Sequence, residues 1–143
     1  MRHRQSAAAA YATDRQQLLK ALLRLKAQRE ARLRRALAKV SRDERQNEAA
    51  TGEGDARLAQ LARMRHDLLS WRGVATVGGL GRSAREMQGV LQRVYALSGE
   101  LRHLRQARAT LQARRRDLQE ARVILMKKQE KLKLVLTDER YQN

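Results

Sequence analysis

The sequence predicts an all-α fold: a long two-helix antiparallel coiled-coil hairpin, with a possible kink or break near residues 50–55. Three observations predict it. The first is composition: the 143 residues include no proline, cysteine or phenylalanine, and aromatics make up only 3%. Ala, Leu, Arg, Gln, Glu and Lys dominate, the usage of long helices rather than of a globular core or a sheet. The second is a column of apolar residues at every seventh position in the second half: Val90, Leu97, Leu104, Leu111, Leu118, Leu125 and Leu132. A repeat of 3.5 residues per turn keeps one stripe of a helix facing a partner helix. A helix of about 55 residues would be about 80 Å long and cannot bury that stripe against itself. The third is a glycine-rich stretch at residues 73–83, GVATVGGLGRS, where the chain can reverse.

Residues 1–143 read as a single coiled-coil domain. Residues 1–12 are expected as a mobile or weakly helical arm, with Thr13 or Asp14 capping a first helix over about 13–72. Its leucines crowd at the start: Leu18, Leu19, Leu22, Leu23 and Leu25 exceed the needs of one seam. They read either as a thicker base or as a docking patch. Residues 41–57 carry no large apolar side chain and contain Gly52 and Gly54, each costing a helix about 1 kcal/mol relative to alanine. A loop capped by Asp55 is one reading. The other is a continuous or kinked helix, favoured because Leu19, Lys26, Leu33, Val40, Asn47, Gly54, Leu61 and Leu68 keep one seven-residue phase across the interruption.

The turn is placed at 73–82 and the second helix at 83–138, with Ser83 and Glu86 forming a capping box. A turn centred near residue 77 makes facing residues add to roughly 155 in such an αα-hairpin. The second seam column of the second helix is Met87, Val94, Leu101, Arg108, Arg115, Arg122, Gln129 and Leu136, apolar at its ends and basic between. Mirrored about the turn, Arg108 and Arg115 fall opposite about residues 47 and 40, close to Asp43, Glu44 and Glu48. These five charges are expected to set register rather than add much stability.

The formal net charge is +17, with 17 Lys and Arg in residues 1–72 and 15 in 73–143. The excess therefore reads as a property of the whole rod, and it favours anionic partners. No disulfide framework or Cys-ligated metal site exists without cysteine. His3, His66 and His103 are scattered, in no metal-binding frame, and the glycines of 73–81 do not match a phosphate-binding loop. No catalytic, cofactor or metal site is expected, and the chain reads as non-enzymatic. The clusters Arg32, Arg34, Arg35 and Arg114–Arg116 lack interleaved aromatics, which argues against specific nucleic-acid recognition. No run of 18 apolar residues marks a transmembrane helix. Trp71, Val74, Val77 and Leu80 gather at the expected hairpin tip, either as a self-packed knob or as a docking site.

The size, the basic two-helix architecture, the scarcity of aromatics and the run QEARVILMKKQEKLKLVL at residues 119–136 resemble one group of proteins. These are the stalk proteins of type III secretion systems, the family of the flagellar export protein FliJ and its YscO-like, SctO-type virulence counterparts. The resemblance implies a cytoplasmic, non-enzymatic antiparallel coiled coil, monomeric when isolated, peripheral to the inner membrane through the secretion apparatus. It implies three partners: the secretion ATPase hexamer, the cytoplasmic part of the export gate and secretion chaperones. Under it, Leu18, Leu22 and Leu25 beside Leu132 and Leu136 form the end expected to enter the hexamer, and Trp71, Val74 and Val77 the end expected at the gate. Two other readings stay open: a basic coiled coil associated with nucleic acid, and a dimeric scaffold with helices paired between chains.

Overall fold

The computed structural model describes the backbone of residues 2–70 and 77–142, and the side chains of these except 2–5, 77, 78, 80 and 139–142. All of it is helical: α1 spans Arg2–Ser70 and α2 spans Val77–Gln142. The two helices pack against each other as an all-α hairpin. Two compact units make up the chain, one of residues 1–40 and 113–143, which holds both termini, and one of residues 41–112, which flanks the turn. Each has its own seam.

The helices are longer than their capping signals suggest. α1 already includes residues 2–12, assigned above to an arm, and α2 begins at Val77, inside the stretch assigned to the turn. Thr13, Asp14, Ser83 and Asp55 therefore lie within helices rather than at their starts. Thr13 Oγ1 donates to the carbonyl of Ala9 at 2.9 Å, one turn back within its own helix, as Thr51 does to Asn47 at 2.8 Å. A threonine hydroxyl bonded to the carbonyl four residues back is accommodated inside a helix at a small cost.

Gly52 and Gly54 do not break α1, and no described glycine has a positive φ. The two glycines differ in surroundings. Gly52 is exposed, and a Cβ there would meet nothing within 4 Å. Gly54 is buried on the seam, and a Cβ would fall 2.6 Å from Leu101 Cδ2. The Leu101 side chain occupies the space that a larger residue would take. The propensity cost of glycine is thus offset at position 54 by close helix–helix approach.

In the turn-proximal unit Leu61, Val90, Leu97 and Leu101 form the buried cluster, with Leu58, Leu68, Val94 and Leu104 packed against it. In the termini-proximal unit Leu19, Val40 and Leu125 are buried. The buried residues all lie on the heptad columns read from the sequence. The column through Leu19 and Leu68 is shielded at each position, including Lys26, Asn47 and Gly54. The column from Val90 to Leu132 is buried or half-buried throughout.

Candidate interaction surface

Register is fixed in the turn-proximal unit by a polar side chain in an apolar seam. Asn47, 8% exposed, donates from Nδ2 to the backbone carbonyl of Leu104 at 2.9 Å. A buried amide left unpaired costs about 1–3 kcal/mol, so the hairpin is held where this bond is made. The contact shifts the expected mirror by one helical turn: Asn47 meets Leu104 rather than Arg108. α2 already begins at Val77 and takes in Gly78, Gly79 and Gly81, so these glycines do not mark the centre of the reversal, and the seam bond locates the pairing instead. By the same register Arg108, one turn beyond Leu104, falls opposite about residue 43. Arg108 and Glu48 are exposed, while Asp43, Glu44 and Arg115 are half-buried.

A charged pair missed by the sequence reading lies in the termini-proximal unit. Glu30 Oε1 stands 3.8 Å from Arg122 Nη2 across the seam and 3.8 Å from Arg34 Nε on its own helix. Arg122 Nε is buried and makes no hydrogen bond. Both residues occupy seam columns, which is the signal that would have found them: Glu30 lies seven residues from both Leu23 and Leu37. Pairs this exposed contribute only about 0–1 kcal/mol.

The leucine crowd at the start of α1 divides into two faces. Leu19 faces the seam and Leu23 is half-buried. Leu18, Leu22 and Leu25 point outward, at 62%, 37% and 52% exposure, with Tyr11 at 70%. On α2 of the same unit Leu132 and Leu136 are half-buried seam residues, whereas Ile124 and Leu134 are open to solvent. At the other end, Trp71 and Val74 lie outside the described residues, as do the Val77 and Leu80 side chains. Near that end Leu69, Leu91 and Tyr95 are exposed.

Folding also redistributes the charge. The termini-proximal unit carries 20 Lys and Arg against 7 Asp and Glu; the turn-proximal unit carries 12 against 8. Each half of the chain in sequence order holds a similar number of bases, but the hairpin brings the two most basic quarters into one unit. The basic excess is therefore concentrated rather than spread along the molecule.

Among the described residues no group of His, Cys, Asp and Glu is placed to hold a metal ion, and His66 and His103 are both exposed. No described helix is long and apolar enough to cross a membrane. What the surface offers is helix faces: exposed apolar residues beside a strong positive field.

A family model described as secretion system apparatus protein SsaO matches residues 19–143. The chain belongs to the SsaO family. It is thus a type III secretion apparatus protein, of the SctO- and YscO-like kind that its basic hairpin resembles. The match takes in α1 from Leu19 onward, all of α2, and parts of both units. No curated protein and no solved structure matches the chain. SsaO is a structural component of the apparatus, and what this chain presents is correspondingly a set of surfaces.

Proposed function

We propose that this SsaO-family protein is the non-enzymatic central stalk of the type III secretion ATPase, linking the ATPase hexamer to the cytoplasmic part of the export gate. It works in the cytoplasm, held at the inner membrane through the apparatus, and hands substrate chaperones between these partners. The observation that carries the reading is the termini-proximal unit: 20 bases against 7 acids, with Leu18, Leu22 and Leu25 turned outward. A helical pair with this field is suited to an acidic pore, where charge attracts it without a fixed lock and a narrow apolar stripe supplies adhesion. The turn end, with Trp71, Val74 and Val77, is assigned to the gate. Asp43, Glu44, Glu48, Arg108 and Arg115 are assigned to register.

The test is hydrolysis by the purified cognate secretion ATPase with and without the full chain. Stimulation that saturates near one chain per hexamer, and weakens as salt rises, is the expected result. No effect on assembly or turnover at any ratio, together with tight duplex DNA binding, would instead support the nucleic-acid reading.

A further inference from the structure

We propose that one side of the termini-proximal unit is a docking groove for an acidic amphipathic helix, which packs there as a third strand of the coiled coil. With seam positions lettered a and d, Glu30 and Arg122 are a, and Leu19 and Leu125 are d. The positions flanking the seam on one side are then g, with c farther out. In the turn-proximal unit the g residues of both helices line common grooves: Arg57 with Glu100, and Met64 with Arg93. The g flanks of α1 and α2 therefore share one side of an antiparallel pair.

By the same lettering, the g and c positions of the termini-proximal unit include Leu18, Leu22 and Leu25 on α1 and Ile124 and Val135 on α2. Leu22 and Val135, both g, are 37% and 39% exposed, as expected beside a seam, while the c residues Leu18, Leu25 and Ile124 are 62%, 52% and 55% exposed. On the opposite flank α1 presents Lys20, Ala27 and Arg34, with no large apolar residue. On that flank α2 adds Val123 and Met126, at 51% and 43% exposure, so the apolar surface is larger on the first side without being confined to it.

The spacing specifies the shape of the occupant. Tyr11, Leu18, Leu22 and Leu25 are separated by seven, four and three residues, a second heptad stripe on a helix whose first stripe is already used. An apolar stripe on α1 beside a flank of α2 that mixes Ile124 and Val135 with lysines can accept another helix, whose knobs pack on the leucines. The charge specifies its character. Arg29, Lys128 and Lys131 border the groove and are exposed; the carboxylates in the α2 column of Ile124 and Lys131 are Asp117, one heptad from Ile124, and Asp138, toward the terminal edge. In the turn-proximal unit the g-lined grooves mix signs, with Glu53, Glu86 and Glu100 beside Arg57, Arg85 and Arg93. A second copy of this chain would set bases against bases. A bilayer surface favours a broad apolar face with aromatic anchors, and Tyr11 is the sole aromatic among the described side chains of this unit. A helix with leucines at a and d and glutamates at e and g meets both requirements.

The proposal rests on the stalk reading only for where such a helix comes from, on a subunit of the secretion apparatus. The surface itself is tested on the full chain with a labelled synthetic peptide of about four heptads, long enough for stable helix formation on docking. The peptide carries Leu at a and d and Glu at e and g; a matched peptide carries Lys at e and g. Anisotropy should rise with the Glu peptide, and the Lys peptide should bind at least about tenfold more weakly. Leu18→Gln with Leu25→Gln should weaken the Glu peptide about tenfold while leaving helicity and melting nearly unchanged, because these side chains are 62% and 52% exposed. Lys20→Gln with Arg34→Gln, on the opposite flank, should change it less than about threefold. Equal binding of both peptides, or indifference to the leucine pair, overturns the proposal. So does a solution dimer that the leucine pair dissociates, or Leu18-dependent binding to vesicles of anionic lipid. Loss of ATPase stimulation with peptide binding intact would sink the stalk reading alone.

Discussion

Replacing Gly54 with alanine separates two effects that act in opposite directions. Alanine favours the helix by about 1 kcal/mol over glycine. At position 54, however, the new methyl group would stand 2.6 Å from Leu101 Cδ2 and 3.3 Å from Leu101 Cγ. Leu101 is 4% exposed and belongs to the buried cluster with Leu61, Val90 and Leu97, so its side chain has little room to withdraw. Overpacking of this kind costs about 1–3 kcal/mol. The net expectation for Gly54→Ala is a loss of about 0–2 kcal/mol. Gly52→Ala provides the reference, since nothing lies within 4 Å of its added methyl group, and it should gain about 1 kcal/mol. Thermal and urea melts followed by circular dichroism on both variants measure the difference. A double-mutant cycle with Leu101→Ala isolates the contact: truncating Leu101 should cost about 2–5 kcal/mol in the parent and distinctly less in the Gly54→Ala background. If Gly54→Ala stabilises as much as Gly52→Ala, the close approach at this point of the seam is wrong.

The other expectations concern the polar positions and the outer face. Asn47→Leu should raise the melting temperature by exchanging a hydrogen-bonded amide for apolar packing, yet loosen register, detectable as mixed products when engineered cysteine pairs flanking residues 47 and 104 are oxidised. Asn47→Ala, which loses both the bond and the volume, should cost about 1–2 kcal/mol in urea melts. Arg122→Leu removes a buried nitrogen without a hydrogen bond and fills a seam position, so it should stabilise by about 1 kcal/mol; destabilisation would mean that the 3.8 Å pairing with Glu30 outweighs apolar packing. Leu18→Gln should shift stability by less than about 0.5 kcal/mol, because its side chain is 62% exposed, while lowering stimulation of the secretion ATPase in a turnover assay.

Much of the hairpin was legible because coiled-coil packing is periodic. Val90 to Leu132 and Leu19 to Leu68 could be read as seam columns from spacing alone, and the preserved phase across Gly52 and Gly54 already argued for one continuous helix. Helix ends were less legible. Thr13, Asp14, Ser83 and Asp55 are residue types that favour caps, but a hydroxyl or carboxylate also serves inside a helix when tertiary packing favours continuation, as Thr13 shows by bonding back to Ala9. The exact register was not legible either. The glycines that suggested the turn's centre lie largely inside α2, and the Asn47 bond to Leu104 shows which layers meet.

Taken alone, the sequence determined that this protein is helical, that each helix carries one apolar stripe, and that its field is positive. These follow from residue type and interval, which a helix converts directly into faces. Which of the crowded leucines are spent on the seam was decided only by pairing the helices: Leu19 went inward, and Leu18, Leu22 and Leu25 were left outside. The same pairing gathered 20 of the bases into the unit that holds both termini, though the sequence spreads them almost evenly between its halves. The physical reason is that folding back an antiparallel chain adds its first quarter to its last, and these are the two quarters richest in Lys and Arg.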